Sequence, residues 1–253
     1  MSLLRTKLRT KLIQIISQTP RSEPMLRLMR LYCDTLDGET TGDIKYNGEL
    51  RVARECLPNS DVVIDVGAHT GQWSTHALRI NLNLNLFCIE PLRANFEKLL
   101  QNSKLSSAKC SQVAFGSSRQ ELLMDRSTQS IHRVVSKDTE KTMQMTLDDF
   151  LSRENLSFVD YLKIDVEGHE FEVLKGARKA LSHGRIKRIQ FEYGPEWIFA
   201  RIQLRDVFEF LQEHRFVMHH IRPRCTTRID QYSSWLENYR YKNFLAIHST
   251  ELK

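Results

Sequence analysis

Asp65, Gly67 and Gly71 stand in a D-x-G-x-x-x-G spacing, and Glu90 follows twenty-five residues after Asp65. Gly67 lets the backbone approach a ligand closely, and Gly71 permits tight packing of a strand on a helix. Asp65 supplies an acceptor for a cationic or hydroxyl-bearing ligand. A carboxylate placed as Glu90 is, at the end of the next strand, can accept from both hydroxyls of an adenosine ribose. The dinucleotide fingerprint G-x-G-x-x-G fails here, because His69 and Gln72 stand where its second and third glycines belong. The turn therefore reads as a nucleoside-cofactor loop of another kind.

A second dense segment is Lys163-Ile164-Asp165-Val166-Glu167-Gly168-His169-Glu170. Charges inside a buried strand are costly unless paired or functional, so Asp165 and Glu167 are expected at its carboxyl end, beside a ligand crevice. Lys163 and Glu170 take a structural reading, Lys163 pairing with an acid, while Glu167 could cap the helix that follows. Asp165, Glu167, His169 and Glu170 could also suit a divalent cation. Acids at a helix start are common, however, and Glu170 is expected to turn away, so no residue is assigned to a metal. His69 and His169 are the best general-base candidates. Glu192, Tyr193 and the loop 194–197 are candidates for an acceptor pocket.

The elements that must position these groups alternate in type. An apolar run without alternation predicts a strand at 62–66, and further strands are read at 84–89, 111–115, 159–164, 186–193, 216–221 and 244–248. Helices are expected at 49–57, 73–80, 94–100, 167–181 and 204–214, with Thr146 as N-cap of a short one. Between 120 and 146, short antiparallel strands are expected at 121–124, 131–135 and 143–146. This alternation argues an α/β fold with a doubly wound, mostly parallel sheet. Residues 1–55 read as an N-terminal helical segment and 56–253 as the chemical domain.

Charge is unevenly placed along the 253 residues, whose formal net charge is +6. Residues 1–30 hold seven basic side chains against the single acid Glu23, so the remainder is balanced. A neutral body gives nucleic-acid binding little support. Leu4, Leu8, Leu12 and Ile16 recur every fourth residue, so 1–18 can form a basic helix with weak peripheral attachment to a membrane. A helix packed on the domain is the plainer alternative. The five cysteines are scattered, without C-x-x-C spacing, which suits a reducing, cytoplasmic compartment. No apolar run is long enough to predict a membrane span.

In order, Val63-Ile64-Asp65-Val66-Gly67-Ala68-His69-Thr70-Gly71, Ile89-Glu90-Pro91, Ala114-Phe115-Gly116, Thr146-Leu147-Asp148-Asp149-Phe150 and Leu162-Lys163-Ile164-Asp165-Val166-Glu167-Gly168 resemble the FkbM-type methyltransferases. The resemblance covers about 45–200 and implies a Rossmann-like class I fold, here with seven strands, helices on both faces and a short β insertion. It also implies S-adenosyl-L-methionine as cofactor and a hydroxyl on a sugar, glycan or natural product as acceptor. Carried over, Asp65, Gly67 and Gly71 contact the methionine part and Glu90 the ribose. Ala68, His69, Pro91 and Ala114 complete the expected cofactor wall. Asp165 would lie near the sulfonium and, with His169, is the expected catalytic residue. RNA methylation and cofactor binding without turnover are the alternative readings.

Overall fold

The computed structural model describes residues 3–39, 42–130 and 137–252. Three helices come first: α1 (Leu3–Gln18), α2 (Glu23–Asp37) and α3 (Glu49–Cys56). β1 (Val62–Val66), α4 (Gln72–Ile80), β2 (Asn85–Ile89), α5 (Arg93–Gln101) and β3 (Lys109–Ser111) follow. A small-sheet region holds β4 (Ala114–Phe115), β5 (Gln120–Asp125) and β6 (Thr139–Met145). The chain then returns through α6 (Leu147–Arg153), β7 (Val159–Ile164), α7 (Glu170–Lys175), α8 (Arg178–Ser182) and β8 (Ile186–Tyr193). It ends with α9 (Glu196–Ala200), α10 (Leu204–Glu213), β9 (Phe216–Ile221), β10 (Thr226–Ile229) and β11 (Lys242–His248). No described helix is long and apolar enough to cross a membrane.

The main sheet runs β10-β9-β11-β8-β7-β1-β2-β3. β1, β2, β3, β7 and β8 are parallel, and β11 is antiparallel to both its neighbours. From β1 the chain moves outward through β2 and β3, then restarts on the other side of β1 with β7. The crevice between the carboxyl ends of β1 and β7 is thus a topological switch point, where open α/β sheets bind ligands.

Both faces of the sheet are buried. Ile64 and Val66 join one core with Phe87, Ile164, Phe191, Phe208 and Leu211. Val63 points the other way, into a second core with Val52, Leu57, Trp73 and Leu78. Two-sided burial explains why β1 and β7 are mostly apolar without alternation. Asp65 and Lys163 lie in register on the two strands and, with Asp160, are the charged exceptions.

Several expectations are corrected. The sheet has eight strands, not seven, because Thr226–Ile229 adds a polar edge strand on β9. The strand expected at 111–115 is broken: β3 ends at Ser111, and β4 pairs instead with β6 in a separate three-stranded sheet. The strands expected at 121–124 and 143–146 do pair, as β5 and β6, while the one at 131–135 lies outside the described residues. The helix expected over 167–181 is two short ones. Glu167 and Gly168, at φ +51° and +95°, form a left-handed turn ahead of α7. Gly176 then breaks the helix where its backbone passes the Gly116 carbonyl. The Asp148 carboxylate accepts the Lys179 and Ala180 N–H groups, so it caps α8. Thr146 caps α6 as its sequence implies, accepting from the Asp149 N–H at 3.0 Å.

Candidate active site

Two glycines shape the turn after β1. Gly67 has φ +82°, and a Cβ there would stand 1.7 Å from the Asp165 carbonyl oxygen, so two strand ends touch backbone to backbone. Gly71, also at φ +82°, caps α4, and a Cβ would strike Leu105 and Leu99. Only glycine meets both the dihedral and the space.

Beyond this turn lies a cavity of about 350 Å³. Its wall includes Asp65, Gly67, Ala68, His69, Glu90, Pro91, Ala114, Asp165 and His169, so nine of the expected residues converge on one space. Gly71 is not among the wall residues and packs on Leu99 and Leu105. Glu167 and Glu192 line the cavity, whereas Tyr193 turns away to pair with Glu237.

Lys163 is the electrostatic centre. Its Nζ donates to Asp165 Oδ2 at 2.9 Å and lies 3.7 Å from Asp65 Oδ1. Burial alone would depress this ammonium, but Asp165, Asp65 and Glu49 outweigh it and hold it above its usual range. Asp65 is fully buried, and burial raises its carboxyl pKa against the pull of Lys163. Its Oδ2 accepts from Ser74 at 2.6 Å, while its Oδ1 has no hydrogen bond. Trp73 Nε1, in the same wall, is a buried donor without an acceptor. Buried polar atoms are normally satisfied, so an acceptor and a donor without hydrogen bonds, on two residues of one cavity wall, single out this wall as a place for a ligand.

Glu90 is buried at the end of β2. Its Oε2 accepts from the His69 N–H at 2.9 Å, and its Oε1 from the Leu92 N–H at 3.0 Å. Burial pushes its carboxyl up to about 7, partly offset by those N–H groups. Oε1 also receives the Asn95 Nδ2 group at 3.4 Å, so Oε2 is the oxygen that keeps a second lone pair for a hydroxyl donor. His69 sits at φ +50°, fixing the turn that brings its N–H to Glu90.

His169 is buried at the start of α7, its Nε2 lying 2.9 Å from Gln144 Oε1. Gln144 Nε2 donates to the Ser118 carbonyl, which leaves Oε1 as acceptor and puts the ring proton on Nε2. Glu170 does turn from the cavity. It receives the Val166 N–H at 3.0 Å and the Gly168 N–H at 3.3 Å, so it, and not Glu167, secures the turn. Burial pushes Glu167 up to about 7, helped by Asp165 and Glu196.

Sequence reasoning missed the lid on this cavity. Gly42, Ile44, Glu49 and Tyr241 also line it, from beyond the resembling motifs or at their edge. Glu49 is buried and accepts from Asn47 at 2.6 Å and Gln190 at 2.7 Å. The Tyr241 hydroxyl accepts from Asn47 and Asn243, both at 3.0 Å. An acid opening a helix resembles an ordinary first-turn residue, so only the lack of water around it distinguishes Glu49. Burial raises both Glu49 and Glu192, Asp165 reinforcing the effect on each. Among the described residues no three His, Cys, Asp or Glu side chains group as a metal site.

Known proteins carry the same pattern. A model of the methyltransferase FkbM domain matches residues 65–218. Hexuronic acid methyltransferase AglP of Haloferax volcanii is 27% identical over 169 residues, 65% of this chain and 66% of that protein. The chain thus spans just under two thirds of that relative's length. Among solved structures, the METTL16 methyltransferase domain superposes with a TM-score of 0.50 at 13% identity, covering 82% of this chain and 68% of that one. Methyltransferase FkbM from Methylobacillus flagellatus KT gives 0.45 at 15% identity, over 84% and 57%. With the family model spanning more than half its length, from Asp65 into β9, the chain belongs to the FkbM methyltransferase family.

Proposed function

We propose that this protein uses S-adenosylmethionine to methylate a hydroxyl of a saccharide. The observation that carries the reading is the meeting of Asp65, Trp73 and Glu90 in one cavity wall, with Asp65 Oδ1 and Trp73 Nε1 left without a hydrogen bond. An amino-acid ammonium and carboxylate satisfy the first two, and ribose hydroxyls the third. When bound, the cofactor supplies an electrophilic methyl group on a sulfonium.

The chain's own residues do the rest. Gly67 admits the ligand against backbone, and Asp65 and Trp73 hold its charged end. Asp165, anchored by Lys163, receives a hydrogen bond from the acceptor hydroxyl and orients its oxygen. Asp165 or His169 takes the hydroxyl proton. Glu49, Glu167 and Glu192 supply further acceptors in the wall, which suits a partner rich in hydroxyl donors. The relative's name, a hexuronic acid methyltransferase, supports a sugar acceptor.

The test is transfer of labelled methyl from S-adenosylmethionine to a panel of mono- and oligosaccharides. Label in a saccharide that is stable to mild base, as an ether is and an ester is not, supports the reading. Label in RNA alone, or cofactor binding with no transfer, overturns it.

A further inference from the structure

α2 has its polarity reversed for a helix on a protein surface. At 3.6 residues per turn, Met25, Met29, Tyr32 and Leu36 share one side, and Arg27, Arg30, Asp34 and Asp37 the other. The two acids of the polar side, at the C-terminal end of α2, meet the body: Asp37 pairs with Arg222 at 2.8 Å, and Asp34 pairs with Arg240. The apolar side faces out, with Met25, Leu28, Met29, Tyr32 and Leu36 between 50% and 65% exposed, and no residue of α2 is buried. An ordinary surface helix does the opposite, so this face is built for an apolar partner. α1 adds Leu8, Leu12, Ile13, Ile15 and Ile16, all exposed.

Charge selects the partner. Residues 1–30 carry seven cations and one acid, and that acid, Glu23, is itself paired with Arg21 at 2.6 Å. A second copy would set this charge against its own likeness. An anionic lipid surface complements it, taking the apolar side chains below the headgroups while arginine and lysine stems reach phosphate. The position of α2 gives such contact a purpose. Its end continues into Glu39, which pairs with Lys242 at 2.9 Å, and then into Gly42 and Ile44 in the cavity wall.

We propose that α1 and α2 lie in the headgroup layer of an anionic membrane, so that the segment leading into the cavity starts at the bilayer surface. The proposal is independent of which acceptor is methylated.

It is tested with the full chain and sedimented vesicles of phosphatidylcholine, with or without phosphatidylglycerol. Three variants are compared: wild type, Leu28→Glu with Met29→Glu, and Arg9→Gln with Lys11→Gln. The wild type should sediment with the anionic vesicles at low salt, not with neutral ones, and be released at high salt. The charge variant should partition about tenfold less or weaker still, since each cation near the surface adds severalfold. The Leu28→Glu, Met29→Glu variant should lose binding with its melting temperature unchanged. Failure of the wild type to bind anionic vesicles, or equal binding to neutral ones, overturns the proposal. A dimer that Leu28→Glu, Met29→Glu dissociates, without vesicle binding, also overturns it and assigns the face to a second copy.

Discussion

Lys163 Nζ donates to Asp165 Oδ2 at 2.9 Å and stands 3.7 Å from Asp65 Oδ1, so one buried ammonium holds the carboxylates that end two neighbouring strands. The side chain is 5% exposed, and Asp65 only 1%. Removing one partner of such a group strands the others without compensation. Lys163→Met is therefore expected to lower stability by about 3 kcal/mol at pH 8, from urea unfolding. The loss should shrink as pH falls to 5, where protonation begins to relieve Asp65, whose carboxyl burial already raises. An unchanged urea midpoint would contradict the structural role of Lys163.

Glu90 couples cofactor affinity to pH. Its carboxyl is pushed up to about 7 by burial, and the ionised form is the better acceptor for ribose hydroxyls. S-adenosylmethionine affinity should rise from pH 6 to pH 8. Glu90→Ala should weaken binding at pH 8 by about 1.5–3 kcal/mol and flatten this dependence. The variant also frees the His69 and Leu92 N–H groups, so circular dichroism must accompany the calorimetry. Equal affinity in both proteins would remove Glu90 from the ribose.

Glu170 makes its mark on stability rather than on binding. Burial raises its carboxyl from 4.5 to about 8, although the Val166 and Gly168 N–H groups oppose the shift. The folded state then holds a proton that the unfolded state releases, so this group's contribution is full below pH 4.5 and is lost as pH rises through about 8. The sign is opposite to that of a salt-bridged carboxylate. Glu170→Gln should keep an acceptor for the turn and flatten the fall in stability across that window by an amount on the order of a few kcal/mol. A melting temperature whose pH profile is the same in variant and wild type would show that Glu170 does not titrate there.

How much was legible in the sequence depended on where the signal lay. β1 and β7 were readable because burial on two faces favours apolar residues without alternation, Asp65 and Gly67 because a backbone turn fixes their spacing, and Glu90 because it ends the next strand. The helix at 167–181 misled because its apolar period continues across Gly176, while the break is imposed by the distant Gly116 carbonyl. Glu49 and Tyr241 were illegible for a related reason. Asn47, Gln190 and Asn243 gather around them from three places in the chain, and no local period records that meeting. Gly71 was placed in the wall by resemblance, but its Cα faces Leu99 and Leu105.

Asp165 bears the most direct test of the whole account, because it touches the cavity while Lys163 holds it in place. The decisive measurement is the initial rate of labelled methyl transfer by Asp165→Asn, on a saccharide acceptor found with the wild type, at saturating S-adenosylmethionine. The variant is expected to fold, to retain most of its cofactor affinity, and to transfer methyl slower by a factor on the order of 100 or more. A rate near that of the wild type would contradict the assignment of Asp165 to the reacting hydroxyl.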